Sequence, residues 1–298
     1  MYDFDLLPDD TVFAIEVALV LFAIAFVSFA AISIYTMIKT TIFTKKHEDK
    51  LKLMCDVAYF HERGKRGNQE DSVYISPIEK IEENGLIAAC SDGMGGLLNG
   101  EVVSKYVTDT LAQKYPLKFD AQAENAKIIS DISDKVYEDY HLSAGATLVM
   151  VHIFDDLLNF YNLGDSNIIL IRNNRATLLN NKQNYASVMI KKFSEGGIDT
   201  VDAYKDSRAK GLTDFVGNHK CNVQMTKRPM KLRDNDIIIV GSDGVTDSMP
   251  LNRIVGHIHS DQSATGIARM IKYGVKSNKN PRQDNYSAII VKMHRSTV

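Results

Sequence analysis

Four aspartates in this chain stand at the ends of short apolar runs. Asp92 follows Leu86–Ser91 and opens Asp92-Gly93-Met94-Gly95-Gly96. Asp243 follows Ile237–Gly241 and opens Asp243-Gly244-Val245-Thr246-Asp247. Asp284 lies in Arg282-Gln283-Asp284-Asn285, just before the last apolar run, and Asp71 closes Arg66-Gly67-Asn68-Gln69-Glu70-Asp71. Carboxylates at strand ends can converge on one edge of a sheet sandwich, and hard divalent cations such as Mg²⁺ or Mn²⁺ take oxygen ligands of this kind. A glycine after the aspartate lets the backbone come close and offer its carbonyl. Two such ions about 4 Å apart can hold a water between them and clamp a phosphate. A single Asp-Gly is ordinarily a turn; four carboxylates so placed, with an arginine nearby, are not easily a coincidence. Competing signatures are missing from the sequence: no phosphate loop ending in Gly-Lys-Ser/Thr, no nucleophile elbow and no paired histidines on a helix. The three cysteines, Cys55, Cys90 and Cys221, have no paired spacing and suggest neither a disulfide framework nor a zinc site.

The elements that must position these residues are mixed. Strand-like runs are Leu53–Phe60, Leu86–Ser91, Thr147–Ile153, Leu158–Leu163, Asn167–Ile171, Asp236–Ser242 and Ser287–Met293. Helical periodicity covers Glu101–Tyr115, Glu124–Tyr140, Leu251–His259 and Ser263–Lys276. Short turns at Asn162–Asn167 and Asn173–Arg175 join neighbouring strands, which means antiparallel pairing. Helices come in pairs between groups of strands. The expected architecture is α+β: two packed, mainly antiparallel β-sheets flanked by helices.

A membrane segment precedes this domain. From Val17 to Ile38 there is no charge, and the apolar stretch begins near Val12. About 20 residues of helix cross a hydrocarbon core. Residues 1–38 hold Asp3, Asp5, Asp9, Asp10 and Glu16, while all 35 basic residues follow, beginning with Lys39, Lys45, Lys46, Lys50 and Lys52. The positive-inside rule then puts the N-terminus outside and the remainder in the cytoplasm. The expected organisation is a tail at 1–11, a transmembrane helix at 12–38, a basic juxtamembrane linker at 39–52 and a catalytic domain at 53–298. A net charge of −2 gives no basic field for nucleic acid.

From about Val57 to Lys292 the order of these motifs resembles the metal-dependent protein phosphatases, the PPM or type 2C family. Arg66–Asp71 resembles the family's Arg-x-x-x-Glu-Asp opening, Ser91–Gly96 its Asp-Gly-Met/His-Gly-Gly box, and Ala144–Val149 its Gly-x-Thr strand start. Asn162–Leu170 resembles the Gly-Asp-Ser-Arg hairpin, and Ser242–Asp247 and Asp284-Asn285 the last two metal boxes. The resemblance implies a serine/threonine phosphatase that acts on phosphoserine and phosphothreonine proteins through water activated by two Mn²⁺ or Mg²⁺ ions. It implies that Asp92 bridges the ions with the Gly93 carbonyl on the second, and that Asp243 and Asp284 hold the first. Asp71, with Glu70 beside it, would bind at the metals or one water away. Arg66 would grip the substrate phosphate with its planar fork. Asp165 and Asp247 match positions that in some relatives help hold a third ion, and serve equally well as turn and hairpin residues.

The sequence also departs from the family pattern. Met94 stands where some relatives carry a histidine proposed as general acid, and a thioether cannot donate a proton. Asn167 replaces the usual arginine after Gly-Asp-Ser, so a scaffold ion pair is expected to be lost. Leu179–Asn184 replaces the family's Thr-x-Asp-His. The stretch from about Ser194 to Asn218 fits the family's variable flap, or an ordinary surface loop. Two classes of function remain: an active phosphatase, or a pseudophosphatase that binds phosphoproteins at the membrane without hydrolysing them. The retention of Asp71, Asp92, Asp243, Asp284 and Arg66 favours the first.

Overall fold

The computed structural model describes residues 9–48, 51–94, 99–194, 206–259, 261–278 and 280–297. The chain divides into two compact units, Met1–Lys52 with Ser296–Val298, and Leu53–Arg295.

In the first unit, α1 (Asp9–Glu48) is one uninterrupted helix. Within it, Ile15–Lys39 is long and apolar enough to cross a membrane, and none of its side chains is buried. At 1.5 Å per residue this stretch is about 37 Å long. The helix runs on past Lys39 through much of the stretch expected to be a linker.

The second unit holds two sheets. Sheet A has the order β1 (Leu51–Glu62), β11 (Tyr286–Thr297), β10 (Ile237–Gly241), β6 (Asn167–Arg172), β7 (Arg175–Leu178). Sheet B has the order β2 (Asp71–Ile75), β3 (Leu86–Asp92), β4 (Leu148–Phe154), β5 (Leu157–Leu163), β8 (Gln224–Met225), with β9 (Met230–Lys231) also on β5. The pairings run antiparallel from β2 through β5 and from β7 through β6 and β10 to β11. The helices are α2 (Ile81–Asn84), α3 (Gly100–Lys114), α4 (Gln122–Tyr140), α5 (Tyr185–Ser194), α6 (Asp243–Ser248), α7 (Leu251–Gly256) and α8 (Ala264–Lys276).

Three apolar layers follow from the two-residue period of the strands. In β10, Ile238 and Val240 meet Leu86, Ala88, Val149 and Val151 of sheet B between the sheets. Ile237 and Ile239 point the other way, onto Ile267, Ile271 and Val275 of α8. In sheet B, Ile87, Ala89, Leu148 and Met150 face outward onto Val103, Val107 and Leu111 of α3 and Ile129, Ile132 and Val136 of α4. The three-to-four-residue spacing of these helical side chains makes one apolar stripe per helix. Two antiparallel sheets flanked by helices therefore make up the second unit, as expected.

The element bounds differ in places. The helix expected to reach His259 ends at Gly256. The segment that Asp243 opens at the end of its strand is the short helix α6, closed by the Met249 N–H on the Val245 carbonyl. β7 is the strand implied by the turn at Asn173–Arg175, while α5 and the short strands β8 and β9 had no counterpart in the sequence reading. Gly95, Gly96 and residues 195–205 of the expected flap lie outside the described residues.

Candidate active site

The register of β2 on β3 sets Asp71 directly opposite Asp92. Asp71 is 4% exposed. Its Oδ2 accepts a hydrogen bond from Ser242 Oγ at 2.8 Å, but its Oδ1 has no hydrogen-bond partner. An unpaired buried carboxylate oxygen is costly unless something positive meets it. Burial pushes the Asp71 carboxyl up to about 6, against the pull of the Ser287 and Ser242 hydroxyls.

Asp92 ends β3 with its backbone locked on both sides. Its N–H donates to Thr147 Oγ1 at 3.1 Å, and its carbonyl accepts from Thr147 N–H at 2.8 Å. Thr147 Oγ1 also bonds Ser166 Oγ at 2.6 Å, so this one threonine ties the β3 end to the β5–β6 turn. Burial, then the charges of Asp71, Asp243, Asp284 and Asp165, drive the Asp92 carboxyl well above the ordinary range. Those five carboxylates thus share one electrostatic neighbourhood.

Gly93 donates its N–H to the Glu70 carbonyl at 2.9 Å. A side chain there would bring Cβ within 2.4 Å of the Gly100 carbonyl oxygen and 2.7 Å of that of Glu70, so no other residue fits. The Glu70 carboxyl is raised by burial, opposed by Arg66 and assisted by Asp284 and Glu101.

On sheet A, Asp243 opens α6 directly after β10. Its carboxyl is pushed up to about 7, first by burial and then by Asp165 and Asp247, with Lys210 and Lys182 opposing. Gly244 packs so closely on the turn before β11 that a Cβ would lie 2.0 Å from the Asn285 carbonyl oxygen. Asn285 itself clamps the loop 63–70: its Oδ1 accepts from Glu70 N–H at 2.9 Å, and its Nδ2 donates to the carbonyls of Arg63 and Asn68 at 2.8 and 2.9 Å. Arg66 Nη2 donates to Asp284 Oδ2 at 2.7 Å, with both side chains 42% exposed.

Asp165 occupies the β5–β6 turn, where its Oδ2 accepts from Asn184 Nδ2 at 3.3 Å. Burial leads the upward shift of its carboxyl, and Lys182 and Asn184 oppose it. Asp247 lies on α6 and forms an ion pair with Lys210.

The expected site residues thus fall in two groups. Asp71, Asp165, Asp243 and Asp284 all bear on the charge of Asp92, with Glu70 and Arg66 beside Asp284. Asp247 sits at the outer edge with a lysine that no motif pointed to. Thr147, Ser242 and Asn285 also hold the site together; Thr147 and Asn285 lay inside quoted motifs, but their bonding pattern is visible only in three dimensions. The expected loss at Asn167 is replaced by a neutral bond, Asn167 Nδ2 to Thr246 Oγ1 at 3.1 Å, which links β6 to α6. The divergent stretch 179–184 is internally consistent. Asn180 Oδ1 accepts from Ile168 N–H, its Nδ2 donates to Asn162 Oδ1 and the Ser166 carbonyl, and Gln183 Oε1 accepts from Gly164 N–H.

Among the described residues, no three His, Cys, Asp or Glu side chains close on one point as a finished metal cage. The fit to cations rests on the donor set: oxygen ligands only, mutually repelling carboxylates, and the orphaned Asp71 Oδ1.

Comparison of the sequence with curated proteins finds no match. Solved structures share the fold. PppA of Pseudomonas aeruginosa is 18% identical with a TM-score of 0.67, covering 82% of this chain and 99% of its own. The serine/threonine phosphatase of S. agalactiae is 20% identical with a TM-score of 0.67, covering 80% and 98%. The catalytic domain of the serine/threonine phosphatase PstP, in complex with two manganese ions, is 22% identical with a TM-score of 0.65, covering 81% and 99%. Residues 59–188, which span Arg66, Asp71, Asp92 and Asp165, match the family model for protein phosphatase 2C.

Proposed function

We propose that this chain is a metal-dependent protein serine/threonine phosphatase, tethered to a membrane by α1 with its catalytic domain, residues 53–298, in the cytoplasm. The observation that carries the reading is the convergence of Asp71, Asp92, Asp243 and Asp284 from both sheets into one cluster of repelling carboxylates with an unsatisfied buried oxygen. Acids held this close destabilise the fold unless cations neutralise them. In this reading Asp92, Asp243, Asp284 and the Gly93 carbonyl hold Mn²⁺ or Mg²⁺, with Asp71 and Glu70 at the ions or one water away. When bound, such cations would supply positive charge to acidify water and offset the charge of the phosphate.

The chain's own residues orient the reaction. Arg66 presents two donors on a rigid fork to the phosphate oxygens of phosphoserine or phosphothreonine. Asp284 holds that fork at the rim of the site. Met94 occupies its position with a thioether against Gly145 and so provides no proton for the leaving alkoxide. The turn held by Asn285 and the strand end held by Thr147 keep the two groups of acids at fixed separation.

The membrane reading is supported by the length and composition of Ile15–Lys39, and its direction by the acidic N-terminal and basic C-terminal flanks. Labelling of single cysteines introduced at the two flanks of α1 in intact cells tests it; labelling of the flank at 45–50 from outside overturns the orientation. Phosphate release from a phosphothreonine peptide by the full chain in detergent, with Mn²⁺ and then with excess chelator, tests the chemistry. Turnover that requires metal and vanishes in Asp92→Ala supports the phosphatase. A folded chain that binds Mn²⁺ and phosphopeptide but releases no phosphate would make it a tethered binding module.

A further inference from the structure

The acidic cluster has an end that the strands do not close. Asp165 lies on the β5–β6 turn and Asp247 on the outward side of α6, and both press on the charge of Asp243. Two lysines bear on this end: Lys182 is the leading opposing charge on Asp165, and the group that pairs with Asp247 is a side chain from the segment 206–218. Lys210 Nζ forms an ion pair with Asp247 Oδ2, and its charge is felt by Asp243 and Asp165 as well.

Lys210 does not reach there by chance of a wandering side chain. Its turn is stitched to the start of α5: Tyr185 N–H donates to the Gly211 carbonyl at 2.8 Å and Ala186 N–H to the Ala209 carbonyl at 3.0 Å. Thr213 N–H donates to the Gln183 carbonyl at 2.9 Å. Arg208 stacks over the Tyr185 ring at 4.5 Å and forks onto Asp206. The backbone on both sides of Lys210 is therefore fixed, while its own side chain is 80% exposed and free to withdraw.

We propose that Lys210 is a built-in monovalent cation at the Asp165–Asp247 end of the cluster, which competes there with a divalent metal ion. This rests on the reading of the cluster as a divalent-cation site. An ammonium neutralises one carboxylate without the coordination a divalent ion demands, so it stabilises the metal-poor state. An exposed ion pair is weak and salt-screened, so a divalent ion can displace it. The outer end then fills after the inner one, and only when Lys210 swings away from Asp247.

The test is direct counting of bound manganese, using the signal of free Mn²⁺ in magnetic resonance, on the full chain in detergent. Wild type is compared with Lys210→Gln, Lys210→Glu and Lys210→Arg. The weakest bound Mn²⁺ is expected to bind about two- to fivefold more tightly in Lys210→Gln. Lys210→Glu, which adds a carboxylate, should tighten it further, and Lys210→Arg should match wild type because it keeps the charge. Wild-type isotherms for both Gln and Glu variants overturn the proposal while leaving the inner metal reading intact. An equal shift in all three variants, Arg included, also overturns it, since packing rather than charge would then be responsible. No manganese bound by folded wild type removes the metal reading itself, and this inference with it.

Discussion

The two ends of the acidic cluster are built in different ways. Asp71 and Asp92 face each other across paired strands, with Ser242 on one carboxylate and Thr147 on both backbone groups of the other. Asp165 and Asp247 sit on a hairpin turn and a six-residue helix, and their partners are Asn184 and Lys210 from loops. Strand register cannot slide by one residue without turning a buried face outward, so the inner pair is rigid. Turn and loop positions are not constrained in that way. On the proposed reading, the inner end holds ions at constant geometry and the outer end exchanges one positive partner for another.

Several measurements can break or sharpen this contrast. The largest effect is expected at the inner end. Asp92→Asn should lower phosphate release by about 10³-fold or more, yet raise the melting temperature of the metal-free chain, because one charge leaves a repelling group. Asp247→Asn should change activity far less; an equal loss at both positions would erase the distinction.

Next in size is the close approach of the two sheets' loops. Gly244→Ala places a methyl group 2.0 Å from the Asn285 carbonyl oxygen and should cost about 2–4 kcal/mol in chemical denaturation. Gly67→Ala in the same loop system meets nothing within 4 Å and should be nearly neutral.

The pH dependence of stability should follow the inner acids. Asp71 at about 6 and Asp243 at about 7 lie above their unfolded values, so the folded chain holds more protons than the unfolded one. The contribution of these two acids to the stability of the metal-free chain is fully present below about pH 4 and should be lost as pH rises to about 7, by a few kcal/mol in total. Saturating Mn²⁺ should flatten or reverse that fall; a metal-free chain whose stability rises over this window would contradict the arrangement.

The smallest effects belong to the rim and the outer scaffold. Arg66→Lys keeps the charge but loses the fork, and should raise KM about tenfold with a smaller change in kcat. Asn180→Ala leaves the Ile168 N–H and the Ser166 carbonyl without that amide and should cost about 1–3 kcal/mol, read as a lower denaturation midpoint.

Most of the fold was legible because its strands are long apolar runs broken by turn residues, and its long helices repeat at three and four residues. The elements that escaped are those held by distant partners. Tyr185–Ser194 is too short to be a helix by propensity alone; the Gly211 and Ala209 carbonyls fix its first residues from beyond the segment. α6 begins with Asp-Gly, which by itself reads as a turn, and becomes a helix where Gly244 packs on the Asn285 backbone.

For the site, the order of residue types was enough to show the resemblance that the family model matches over residues 59–188 and to single out the aspartates, because carboxylates followed by small residues at strand ends are the pattern that oxygen ligation of divalent ions would need. An apolar membrane-length helix before that domain is likewise a property of composition. What the linear order could not decide is which polar groups meet. That Asp71 leaves one oxygen unpaired, that Asn285 clamps the loop 63–70, that Arg66 rests on Asp284 and that Lys210 reaches Asp247 all depend on contacts between residues far apart in the chain. Their energies are set by distance and burial, and these exist only once the two sheets have packed.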